Sequence, residues 1–183
     1  MTRHIGIVAC SAEGAALCYR TVCLEGPQWL GPLAHPEVSM HTHSFASYMR
    51  CIESGDWPGV AELMLAAANK LARTGADFLI CPDNTIHQAM PWVLRRSPLP
   101  WLHIAEVVAA HAAERGFPRL GLTGTRYLVD SEVYPEKLAA RASRRVESSV
   151  GNGELPSFMM SGISVQPSTT ASQPSSFMRL MTR

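Results

Sequence analysis

Apolar residues follow two spacings along this chain. Short, mostly apolar runs occur at Ile5-Gly6-Ile7-Val8-Ala9-Cys10, Phe78-Leu79-Ile80, Trp101-Leu102-His103-Ile104 and Arg119-Leu120-Gly121-Leu122. Runs this short and this apolar suit strands covered on both faces. A further strand is predicted within His35 to His43, ending near His41. Between the runs the spacing turns helical. Helices are predicted from about Ala15 to Leu24, from Ser44 to Glu53, and through VAELMLAAANKLARTGAD, which puts Val60, Leu63, Met64, Ala67 and Leu71 on one face. Asp56 stands where a cap would start that long helix, and Gly75 where a stop would end it. Ala105 to Arg115 reads as another helix ended by Gly116, and Ser131 as the cap of one running toward Arg141. Strands alternating with helices at these lengths predict an α/β fold, a parallel sheet flanked by helices in the doubly wound, Rossmann-like manner.

The pattern stops at about residue 143. Residues 148–183 are rich in Ser, Thr, Pro, Gln and Gly, and only Glu154, Arg179 and Arg183 are charged. Such a segment buries too little apolar surface to offset its ordering entropy and is predicted to be an irregular, disordered tail. The predicted division is therefore a first α/β lobe over 1–116, the start of a second lobe over 117–147, and the tail.

Charge is nearly balanced, at +1, and 46% of residues are hydrophobic. Neither a polybasic nor an acidic bias points to nucleic acid or a membrane surface. The opening MTRHIGIVACSAEG goes straight from a short apolar run into a turn, without the core of a signal peptide or the length of a membrane span. Cysteines at 10, 18, 23, 51 and 81 are odd in number and lack metal-type spacing, which predicts free thiols in a reducing, cytoplasmic setting.

Candidate chemistry gathers in LICPDNTIHQA, residues 79–89. Cys81 ends a predicted strand, and Pro82 forbids its simple continuation. Asp83, Asn84 and Thr85 are candidate caps of the helix that comes next. A cysteine there sits where open α/β sheets bind ligands, and a helix N-terminus favours its thiolate. The plainer reading makes Cys81 a small core residue, but a core turn does not need Asp, Asn, Thr and His crowded together. His35, His41 and His43 invite a metal, yet no partner set from a second element accompanies them, so polar loop or pocket roles are expected. No GxGxxG fingerprint marks a dinucleotide site.

The box ICPDNTIH resembles the first catalytic box of the aspartate/glutamate racemase superfamily, a cysteine followed closely by Asn-Thr and then His. GIVACSAEGA resembles the superfamily's first strand and turn, with Ala9-Cys10-Ser11 in place of the usual Gly-Gly-Met. LGLTGTRYLVDSEVY resembles the Gly-Thr box that opens the second lobe, with Leu128 where many relatives have Thr. The likeness covers roughly residues 4–141. It implies racemisation of an acidic amino acid or a related small dicarboxylate without pyridoxal phosphate or metal. Cys81 would be the first-lobe acid/base, Asn84 and Thr85 would hold the substrate α-carboxylate, and Ser11, Gly124 and Thr125 would line the cleft. Such enzymes move the α-proton between two groups on opposite faces, one of them a thiol activated by its surroundings. Relatives often dimerise, and a homodimer surface on the first lobe is implied. The departure is that no cysteine comes after Cys81 and no Gly-Cys-Thr-Glu box is present. A frameshifted or truncated member with impaired turnover is expected, its shortened second lobe exposing apolar surface. The alternative is an inactive remnant, or a lobe that only binds small carboxylates. A cysteine hydrolase using His87 would lack an orienting carboxylate.

Overall fold

The computed structural model describes residues 2–117, 120–141 and 146–150. The elements run β1 (Ile5–Ala9), α1 (Ala12–Glu25), α2 (Pro27–Leu30), β2 (Val38–Thr42), α3 (Phe45–Ser54), α4 (Trp57–Arg73), β3 (Phe78–Ile80), a 3-10 turn (Thr85–Ala89), α5 (Met90–Val93), β4 (Trp101–Leu102), α6 (Ile104–Glu114), β5 (Leu120–Gly124), α7 (Arg126–Val129), α8 (Val133–Ala140) and β6 (Val146–Val150). The chain divides into two compact units, Met1–Ile104 and Ala105–Arg183.

The first unit is built on a parallel four-stranded sheet in the order β2-β1-β3-β4. It is the α/β sheet that the alternating pattern predicts. Strand β1 lies inside the sheet and every one of its residues is buried, which is why it reads as an unbroken apolar run. Its Gly6 has no room for a side chain: a Cβ there would come within 2.6 Å of the Leu79 side chain and 3.1 Å of the Ala76 Cβ. Helix α4 covers the sheet with Val60, Ala61, Met64, Leu65, Ala67, Ala68 and Leu71, so the predicted stripe is core, with Leu63 only partly covered. Asp56 caps α4 by accepting the Gly59 N–H at 2.9 Å. Gly75, with φ of 89°, comes after the helix in a left-handed conformation that glycine adopts without strain.

The second unit holds a two-stranded parallel sheet of β5 and β6. Ala105 and Ala109 of α6 are buried in one cluster with Leu122, Leu128, Val133, Tyr134 and Leu138. That packing moves the division to 104/105, ahead of the expected 116/117, because α6 shares its apolar face with β5, α7 and α8. Strand β6 crosses the expected start of the tail at 148, and residues 151–183 lie outside the described residues. Ser131 does not cap α8: its hydroxyl donates back to the Leu128 carbonyl at 2.6 Å, and Glu132 takes the cap position. Among the described residues no helix is long and apolar enough to cross a membrane.

Candidate active site

From β1 the chain crosses to β2 on one side, and β3 lies on the other. A crevice at the carboxyl ends of two strands that diverge in this way is where open parallel sheets take ligands. Register pairs Ile7 with Ile80, so the residues that leave β1 and β3 emerge side by side. Cys10 and Ser11 come directly after β1; Cys81, Pro82 and Asp83 come directly after β3.

Asp83 gathers this corner. Its Oδ1 accepts the main-chain N–H of Thr85 at 3.1 Å and of Ile86 at 3.4 Å, so Asp83, rather than Asn84 or Thr85, caps the turn. The Cys10 and Ser11 side chains lie close enough to act on the carboxylate. Ser11 begins α1 without bonding that helix's own N–H groups. Burial pushes the Asp83 carboxyl above the ordinary range, and the Ile86, Cys10, Thr85 and Ser11 donors oppose that rise. Some of Asp83 still reaches the surface.

The thiols differ from the sequence expectation. Cys81 and Cys10 are each only 3% exposed. Burial first, then the charge of Asp83, hold the Cys81 thiol well above its usual range, and its Sγ donates to the Asp83 main-chain carbonyl at 3.8 Å. Cys10 is pushed up by burial, by Asp83 and by Cys81. Burial also lifts Cys18 to about 11. The thiolate-favouring effect expected at a helix end does not prevail, because the element after Cys81 is a five-residue 3-10 turn and the nearest charge is negative.

His87 is held as a neutral ring. Its Nδ1 lies 2.7 Å from the Asp83 carbonyl, and the Ile104 N–H donates to its Nε2 at 3.4 Å. One nitrogen therefore donates and the other accepts. Burial, with His103 beside it, pushes its pKa down to about 3. It fixes the Asp83 loop and does not turn a nitrogen toward the Cys81 thiol, which removes the basis for a Cys-His hydrolase.

Sequence reading missed Tyr48 of α3. The ring is wholly buried, and its hydroxyl has no hydrogen-bond partner among the described residues. Burial raises the phenol's pKa, and the charges of Cys81, Cys10 and Asp83 add to that rise. Cys10 and Asp83 were also missed as members of the site. The available signal was that Cys10, like Cys81, ends an apolar strand at a turn.

Asn84 and Thr85 are buried beside Asp83 in the chain. Gly124 and Thr125 stand at the end of β5 in the second unit, where Thr125 precedes α7. His41 and His43 stack edge to face at 4.7 Å, and Lys70 Nζ lies 2.8 Å from His41 Nε2. Among the described residues no three His, Cys, Asp or Glu side chains gather as metal ligands.

The sequence model of the Asp/Glu/Hydantoin racemase family matches residues 7–173. Among solved structures, an Asp/Glu racemase candidate from Yersinia pestis is similar with a TM-score of 0.72 at 26% identity, over 82% of this chain and 65% of that one. An aspartate racemase homologue from Pyrococcus horikoshii gives 0.70 at 24% identity over the same shares. Glutamate racemase from Aquifex pyrophilus gives 0.60 at 17% identity, covering 80% of this chain and 54% of that one. The chain thus spans less than two thirds of the length of each of these proteins.

Proposed function

The chain belongs to the Asp/Glu/Hydantoin racemase family, and from that premise we propose that it carries one face of a proton-transfer site acting at the α-carbon of an acidic amino acid or a related small dicarboxylate. The observation that carries this reading is the cluster of Cys10, Ser11, Cys81 and Asp83 at the carboxyl ends of β1 and β3. The α-proton of an amino acid is weakly acidic. Its removal needs a positioned base and donors that hold the carboxylate as it gains enediolate character. Asn84 and Thr85 are the proposed carboxylate holders, and Cys81, kept as the thiol, is a proton carrier of this face. The site draws on protein side chains and main-chain N–H groups alone. Five free thiols suit a reducing compartment.

A second reading is a lobe that binds small carboxylates without turning them over. It is favoured by the absence of any cysteine after Cys81 in this sequence. The two separate in deuterated water. With aspartate and glutamate, loss of the α-proton signal with retained optical rotation is expected of a one-faced site; loss of both signals is expected of a two-faced site. Carboxylate binding without exchange would leave only the second reading.

A further inference from the structure

We propose that His41, with Lys70 and His43, forms a pH-sensitive latch: it ties the carboxyl end of β2 to α4 while His41 is neutral, and lets that end go when His41 takes up a proton. The latch borders the crevice and works whether or not proton transfer occurs there.

The hydrogen bond itself sets the logic. Lys70 Nζ donates to His41 Nε2 at 2.8 Å. An ammonium has hydrogens to give and no lone pair to offer, so Nε2 accepts and the ring proton of His41 sits on Nδ1. A second proton can enter the ring only at Nε2, the atom that Lys70 holds. Protonation of His41 and the Lys70 bond therefore exclude each other, and the imidazolium so formed faces an ammonium.

The surroundings do nothing to hold that imidazolium. The groups that face the two rings are Lys70 and the Leu63 carbonyl of α4, Tyr48 of α3, and Val8, which registers with His41 from β1. None of these is a carboxylate. The His43 ring packs edge to face on His41 at 4.7 Å, so a charge on either ring opposes one on the other. Burial, Lys70 and His43 hold His41 below the ordinary imidazole range; burial and Lys70 do the same for His43, opposed by the Leu63 carbonyl. The released ring binds a proton more readily than the latched one, so the latch weakens as pH falls below about 6.5.

The closed state also leaves polar atoms without compensation. His41 Nδ1, His43 Nε2 and the hydroxyl of the wholly buried Tyr48 are covered and have no hydrogen-bond partner among the described residues. Release returns the two imidazole nitrogens to water, so opening recovers part of what it loses.

Position decides what the release does. Among the described residues β2 pairs with β1 alone, at the end of the sheet. Its start is held separately: the Ile5 N–H donates to the Glu37 carbonyl at 2.8 Å, and His4 Nε2 lies 2.9 Å from Ser39 Oγ. His4 Nδ1 also lies 3.7 Å from Glu37 Oε1, a partner that suits an imidazolium. Acid thus frees one end of β2 and leaves the other tied. The freed end borders the crevice, because Thr42 registers with Ala9, the residue before Cys10.

The test follows the isotope-labelled full chain by NMR. At about pH 7.5, long-range proton–nitrogen correlations should find the His41 proton on Nδ1; a proton on Nε2 would overturn the latch. Between about pH 7.5 and about pH 5, amide protection over Val38–Thr42, corrected for the intrinsic pH dependence of exchange, should fall at least about tenfold more than over Phe78–Ile80. Equal losses in the two strands, or none, would also overturn it. His41→Gln offers Lys70 an acceptor that does not titrate, and should keep β2 protected in acid. Lys70→Met removes the donor, and should leave the same amides weakly protected at both pH values. A His41→Gln chain that still loses β2 protection in acid would assign the change to another group. The tautomer needs no variant, so it decides even where a substitution fails to fold.

Discussion

The two units repeat one local plan, strand then turn then helix, with opposite results. In the first, β1 is buried along its whole length and gives way to Cys10, Ser11 and the fourteen-residue α1. In the second, only Leu122 of β5 is fully buried, and the strand gives way to Gly124, Thr125 and the four-residue α7. Strand β1 has a paired neighbour on each side, and its unit places a carboxylate and two thiols at the strand ends. Among the described residues strand β5 pairs with β6 alone, and the turn after it carries no ionisable side chain before Arg126. Desolvation explains the contrast: a strand end perturbs ionisable groups when the sheet and its covering helices remove water from them.

The largest test of this contrast is packing. Ile7→Ala in β1 is expected to cost about 2–5 kcal/mol in urea unfolding, because the side chain is fully enclosed. Leu120→Ala in β5, where the side chain is only partly covered, should cost about 1 kcal/mol or less. Equal losses would erase the distinction between the two strands.

Acid should weaken the first unit through His87. The folded ring has a pKa of about 3 against an ordinary 6.5. Between those values the unfolded chain binds a proton that the folded chain does not, so stability falls as pH falls through that window. From pH 7 to pH 4 the loss is on the order of 3 kcal/mol. His87→Gln should flatten the dependence; an unchanged slope would mean that the ring is not held neutral. Asp83 works in the other direction. Its raised pKa makes folding less favourable as pH rises through it, so Asp83→Asn should leave stability at pH 8 equal to or above that of the parent.

Single contacts give the smaller effects. Removing the α4 cap with Asp56→Ala should cost about 1 kcal/mol by thermal unfolding. In the second unit, Lys137 bridges Glu106 at 3.0 Å and Glu136 at 3.6 Å near solvent. Lys137→Ala should change stability by at most about 0.5 kcal/mol, and by nothing measurable in 1 M salt.

Much of the first unit was legible because its signals are local. The apolar run of β3, the Asp56 cap and the glycines after α3 and α4 each act within a few residues. The position of Cys81 was legible for the same reason. Cys10, Asp83 and Tyr48 come from separate segments, and only the placement of β1 against β3, with α3 nearby, makes them neighbours. The protonation of Cys81 was hidden likewise, since it depends on burial and on a carboxylate two residues away. Strand β6 was missed because VESSV has no alternating apolar pattern; its backbone pairs with β5 regardless. Helix α7 is a single turn, too short for a period to register.

Gly6 sets a limit on how this sequence can drift. A methyl group at Gly6 would meet the end of the Leu79 side chain at 2.6 Å and the Ala76 and Leu71 Cβ atoms at 3.1 and 3.3 Å, so any replacement must turn the Leu79 side chain aside and crowd the packing beneath β1, the strand that leads to Cys10. A mutational survey scored only for exchange chemistry would therefore find a sensitive position well before the nearest reactive atom in the chain, at a residue that has no functional group at all.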